Sequence, residues 1–203
     1  MSAWRQLKKL AENLALLAGY AIAVLGLQRL VRFFCEDETR LGLKTMSGRK
    51  ITAQGIQPRG KGQGQFKATY LYGIVAPATG APCFYEFTHL NSDCFQALLD
   101  LVSEPYKDCI LIMQLDQAGA HKAKRLKLPA NILLLFQPSH APETNPIERV
   151  WQHFKLGLRG QWPKDLDELR LLMRARLEAM THTVMASLGG WNSILNALSV
   201  AGI

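Results

Sequence analysis

Three carboxylates occupy positions where acids commonly do chemistry. Asp37 follows a short aromatic and β-branched segment, Val31 to Cys35. Asp116 ends the run Cys109-Ile110-Leu111-Ile112-Met113-Gln114-Leu115. Glu148 lies in the first turn of a segment with apolar residues at helical spacing. Ligand sites in open α/β sheets form outside strand ends, so acids from such distant segments can meet at one sheet edge. Clustered carboxylates repel one another unless a cation neutralises them. Mg²⁺ takes carboxylate oxygen together with water and substrate phosphate, and two such ions can clamp the attacking and leaving oxygens of a phosphoryl displacement. The chemistry pointed to is cleavage or transfer of a phosphodiester. Blander readings remain open. Glu148 stands at the capping-box position after Asn145, Asp116 is a possible turn residue before Gly119, and Asp37 has Glu36 and Glu38 as rivals.

The charge balance suits a polyanionic partner. The 203 residues carry 24 Lys+Arg against 16 Asp+Glu, a net +8, which favours nucleic acid or an anionic surface. The excess sits in two blocks. Arg40 to Lys67 holds seven bases and no acid, interleaved with Gly55, Gly60, Gly62 and Gly64; His121 to Lys127 adds four more bases. Between them, Ala68 to Ala120 carries six acids and one base. The spacing of the glycines is not that of a dinucleotide fingerprint between strand and helix. Cys35, Cys83, Cys94 and Cys109 form no CxxC pair, which excludes a zinc ribbon and favours reduced thiols in a cytoplasmic protein. The uncharged run from Leu14 to Leu27 is shorter than the roughly 20 residues of a membrane span. It reads as a core or oligomer-facing helix, and no membrane association is expected.

The elements that must position the acids follow from periodicity. Val31–Cys35, Thr69–Val75, Ala81–Thr88, Cys109–Leu115 and Asn131–Phe136 read as strands, the second and third joined as a hairpin across Pro77-Ala78-Thr79-Gly80. Helices are expected over 91–102, over 121–128 as a short basic helix, from Asn145 as cap with Ile147, Val150, Trp151, Phe154 and Leu158 inward, and from Asp165 through Val184. Gly189-Gly190 sets off a last segment, 191–200. This order predicts an α/β fold, a mixed sheet covered by helices.

Three blocks of text carry a family resemblance: Phe33-Phe34-Cys35-Glu36-Asp37-Glu38-Thr39-Arg40-Leu41-Gly42-Leu43, Leu115-Asp116-Gln117-Ala118-Gly119-Ala120-His121, and Pro142-Glu143-Thr144-Asn145-Pro146-Ile147-Glu148-Arg149-Val150-Trp151. They resemble the DDE-superfamily transposases of bacterial insertion sequences related to the mariner group. The resemblance implies a ribonuclease-H-like fold and a site in which Asp37, Asp116 and Glu148 are both the catalytic residues and the ligands of two Mg²⁺ or Mn²⁺ ions. It selects Asp37 over its neighbours because that residue opens the family's Asp-Glu pair. His121 matches a histidine common near the site, and Asn145 with Pro146 matches the helix start that aims Glu148. Glu143 is a candidate for orienting a water or a base.

The resemblance implies a DNA partner, a homodimer on paired DNA ends, and phosphodiester hydrolysis at element ends followed by strand transfer. Arg40, Arg49, Lys50, Lys122 and Arg125 are the expected phosphate contacts. Residues 1–30 read as an apolar helix or linker and 31–203 as the catalytic domain. No helix-turn-helix pair precedes Asp37, so a catalytic domain alone is expected. The alternative is a catalytically silent remnant that binds DNA non-specifically or associates with a full-length relative.

Overall fold

The computed structural model describes residues 12–17, 19–20, 30–43, 53–55, 65–138 and 144–203. Arg49, Lys50 and Glu143 lie outside the described residues, as does most of the segment 18–29. The fold is built on five strands: β1 (Leu30–Gly42), β2 (Ala68–Val75), β3 (Pro82–Phe87), β4 (Cys109–Leu115) and β5 (Ile132–Phe136). They lie in the order β3-β2-β1-β4-β5. The β1–β2 and β2–β3 pairs are antiparallel, whereas β1–β4 and β4–β5 are parallel. Residues 12–17 and 19–20 are helical, and the other α-helices among the described residues are α1 (Ser92–Ser103), α2 (Ile147–Leu158), α3 (Leu166–Glu178), α4 (His182–Gly189) and α5 (Asn192–Val200).

Alternation along the strands builds two cores. Phe34, Tyr72, Ile74, Leu111, Met113 and Leu115 face α1, which contributes Phe95, Leu98, Leu99 and Val102. Phe33, Cys35, Leu71, Val75 and Ile112 face the other way, onto the α2 stripe Ile147, Val150, Trp151, Phe154 and Leu158 and onto residues of α3, α4 and α5. Leu14 is fully buried in this second core. No helix among the described residues is long and apolar enough to cross a membrane. The four cysteines are free thiols.

The hairpin forms as expected, with Gly80 at φ +70° in its turn. Asn91 caps α1 by accepting from the amides of Asp93 and Cys94, and Asp165 caps α3 by accepting from that of Glu168.

Four expectations are corrected. Strand β1 does not stop at the acids but runs through them to Gly42, because Cys35 to Gly42 find antiparallel partners on β2. Residues 121–128 form turns rather than a helix: Pro129 disfavours helical backbone at the residue before it, and both ring nitrogens of His121 are held by carboxylates. The helix from Asp165 breaks after Glu178, where Thr181 opens α4 by accepting from the Val184 amide. Asn145 does not cap α2; that place falls to Pro146, which makes no side-chain cap bond.

One close approach bears on the site. Gly73 pairs directly with Asp37, and a Cβ there would lie 2.7 Å from Trp151 Cη2 and 2.8 Å from the Phe84 ring. Both rings pack on the sheet and on each other, 5.6 Å apart. Gly73→Ala is therefore expected to destabilise the protein by about 1–3 kcal/mol, the usual cost of overpacking. Chemical denaturation measures it, and an unchanged midpoint would show that the rings yield freely.

Candidate active site

Two strands and one helix carry the three acids. The parallel register sets Cys35 beside Gln114; continued two residues, it brings Asp37 level with Asp116, just past the end of β4. Glu148 stands in the first turn of α2, one turn before the Trp151 ring that covers Gly73. The result is an acid-crowded sheet edge. Burial pushes the Asp37 carboxyl up from an ordinary 3.8 to about 8, and the charges of Glu148, Glu38 and Asp116 add to that rise. A proton or a cation is what such a group of acids lacks. The donor set, all carboxylate oxygen, fits hard divalent ions.

Asp116 is held in place. Its Oδ1 accepts from the Ala118 amide at 2.8 Å and from His121 Nδ1 at 2.9 Å. The other ring nitrogen of His121, Nε2, meets Glu38 Oε1 at 3.0 Å. Burial disfavours the charged imidazole, but Glu38 and Asp116 together outweigh it and raise its pKa. His121 is buried against Phe95, with ring centroids 4.4 Å apart.

The start of α2 is pinned to the same edge. Asn145 Nδ2 donates to the Glu36 carbonyl at 2.9 Å, which fixes the turn carrying Glu148 to the residue before Asp37. Behind it, buried Gln114 donates to the Thr144 carbonyl at 3.0 Å and approaches Gln137 Oε1 at 3.4 Å. Sequence reasoning passed over Gln114 and Gln137; the signal was a lone amide inside the apolar run of β4. Asn145→Ala is expected to cost about 1–3 kcal/mol, since it removes the donor from a buried carbonyl. Any catalysis that depends on Glu148 should fall roughly 10- to 100-fold as that side chain loses its aim, because displacements near 1 Å carry effects of that order. Paired melting and single-turnover assays would check it; full activity in the variant would release Asn145 from this role.

The expected phosphate contacts are dispersed. Arg40 is exposed on β1. Lys122 is exposed and approaches Gln117 Oε1 at 3.4 Å. Arg125 is committed to α1, donating to Ser92 Oγ and pairing with Asp93 at 3.1 Å.

Known proteins share this arrangement of elements. The family described as DDE superfamily endonuclease matches residues 32–170. The chain belongs to that family. Relatives of this DDE endonuclease domain include the uncharacterized protein y4pE/y4sA of Sinorhizobium fredii (strain NBRC 101917 / NGR234), 33% identical over 106 residues, 49% of this chain and 76% of that protein. An insertion element IS630 uncharacterized 39 kDa protein of Shigella sonnei is 28% identical over 124 residues, 59% of this chain. The chain spans only 36% of that protein's length. Among solved structures, the Mos1 mariner paired end complex with Mn has the same fold, with a TM-score of 0.63 at 13% identity over 100% of this chain and 62% of the Mos1 chain. The mixed five-stranded sheet flanked by helices is thus of the ribonuclease-H-like kind expected from the sequence.

Proposed function

We propose that this DDE endonuclease domain is the catalytic part of an insertion-sequence transposase, which hydrolyses phosphodiesters at DNA element ends and joins the freed 3′ end to target DNA. What supports this reading is the crowding of acids where the middle of β1 passes the end of β4; one carboxyl there is raised to about 8 by burial and three neighbouring acids. Asp37, Asp116 and Glu148 are the residues that would hold two divalent ions, Mg²⁺ or Mn²⁺. Those ions, when bound, supply a Lewis acid and a water activated for in-line attack.

The chain's own groups do the rest. His121 and the Ala118 amide fix Asp116 through Oδ1. Asn145 holds the first turn of α2, which carries Glu148, against β1. Arg40, Arg49, Lys50, Lys122 and Arg125 contact backbone phosphates without reading bases; Arg125 must first leave Asp93. Pairing of two element ends calls for a homodimer. The silent-remnant alternative is not favoured, since the sequence retains all three acids.

The test is conversion of supercoiled plasmid to the nicked form by the purified chain in Mg²⁺ or Mn²⁺. Nicking that needs the metal and disappears in Asp116→Asn supports the assignment. Equal activity in that variant, or DNA binding without cleavage under either metal, overturns it.

A further inference from the structure

On the face of β1 opposite Asp37, a second set of donors converges. Glu36 and Glu38 alternate with Asp37 along the strand and turn toward α1, where His121 comes down from the loop after β4. One ligand atom from each of Glu36, Glu38 and His121 lies within 4.8 Å of the other two. His121 Nε2 is 3.0 Å from Glu38 Oε1 and 3.9 Å from Glu36 Oε2. Donors bound to one ion at about 2.0–2.2 Å can be no more than about 4.4 Å apart. Both histidine distances already meet that limit, and the two carboxylate oxygens lie within 4.8 Å of each other.

Glu36 is the observation that asks for a ligand. It is completely buried, and neither of its carboxylate oxygens has a hydrogen-bond partner. A buried carboxylate without a partner is costly, and the usual remedies are pairing or a metal. Here the strand aims it at the His121 imidazole and the Glu38 carboxylate. The far side of the ring is also arranged as in metal sites: Nδ1 faces Asp116 Oδ1 at 2.9 Å, the carboxylate–histidine–metal relay that fixes a ligating imidazole through its other nitrogen. Phe95 of α1 packs against the ring at a tilt of 48°.

We propose that Glu36, Glu38 and His121 Nε2 form a cation site of their own, separate from the Asp37–Asp116–Glu148 set, that takes a transition-metal dication of the Mn²⁺ class. One imidazole with two carboxylates suits such ions better than Mg²⁺, which favours oxygen donors throughout. The bound ion ties β1 to the loop after β4. Acting through the His121 ring, it also steadies the carboxylate of Asp116, so the two sites share one hydrogen bond and no ligand. The proposal does not depend on the nuclease reading.

The experiment is pulsed EPR on the full chain loaded with Mn²⁺ alone. Imidazole nitrogen modulation is diagnostic, because Asp37, Asp116 and Glu148 offer only oxygen. The expected result is nitrogen coupling in the wild type that persists in Asp37→Asn and is lost in both Glu36→Gln and His121→Gln. Glu36→Gln replaces a buried carboxyl with an amide of the same size and should fold at least as well as the parent without metal; circular dichroism checks this. Nitrogen coupling absent from the wild type means that His121 is only an imidazolium clamp between Glu38 and Asp116, and the proposal fails. Coupling undiminished in His121→Gln places the ion on another histidine, coupling undiminished in Glu36→Gln leaves Glu36 out of the site, and either overturns it. Loss of nicking in Asp37→Asn with nitrogen coupling retained would separate the two sites.

Discussion

Replacing Asp37 with asparagine should lower metal-dependent strand cleavage by roughly 10³-fold or more and, in the same protein, raise the melting temperature measured without metal. The two effects have one origin. Asp37 is a poor residue for the fold: burial comes first among the causes that lift its carboxyl to about 8, and the charges of Glu148, Glu38 and Asp116 oppose its own. An amide of the same size removes that repulsion and keeps the strand pairing with Gly73. What it loses is an anionic oxygen for divalent ions, and 10³-fold corresponds to about 4 kcal/mol of transition-state stabilisation. Stability gained where activity is lost marks a residue kept for function. A variant that cleaves within tenfold of the parent, or melts lower without metal, would count against placing Asp37 at the centre of the site.

The sequence made some of this legible, and the misses have physical causes. The α2 stripe could be read because Ile147, Val150, Trp151, Phe154 and Leu158 must all face one core, and periodicity reports that directly. Strands β4 and β5 were readable as continuous apolar runs because parallel neighbours and helices cover both faces. The far half of β1 was not. Glu-Asp-Glu-Thr-Arg has poor strand composition, and its strand state comes from β2 alone, a partner distant in sequence. Residues 121–128 carry helix-favouring lysines, but tertiary contacts of His121 override that preference. The apolar period of α3 continues across 179–181, so only the Thr181 cap marks the break.

Within the site, the three acids were picked out by strand-end logic and by family text. The environment of Glu36 was not, because a charged residue beside the favoured aspartate reads as solvated until the strand's alternation turns it inward. Asn145 was read as a cap because Asn before a helix usually is one; here its Nδ2 donates to the Glu36 carbonyl and its Oδ1 accepts from no helix amide.

The same crowding gives the metal-free protein an unusual response to pH. Asp37 binds its proton more tightly folded than unfolded, with an ordinary value of 3.8 against about 8. Below about 4 it is protonated in both states and its stabilising contribution is fully present. Between about 4 and 8 the folded state holds a proton that the unfolded chain has released, so stability falls as pH rises, by at most about 1.4 kcal/mol per pH unit. Glu36 is raised in the same sense, by burial first and then by Glu38, Asp37 and Asp116. His121, also raised, acts in the same direction above its ordinary 6.5.

Coupling among these groups reduces the sum, and a loss of about 2–4 kcal/mol from pH 5 to pH 8 is expected, or roughly 5–15 °C in melting temperature for a chain of this size. Millimolar Mn²⁺ should restore most of it at pH 8 and little at pH 5, because ions that bind only the folded form stabilise by mass action and compete with protons for the same oxygens. Asp37→Asn should flatten the metal-free profile. Calorimetric melts at three pH values with and without metal decide the matter: a metal-free melting temperature that holds steady or climbs from pH 5 to pH 8 would mean that these acids are well solvated and do not crowd one another.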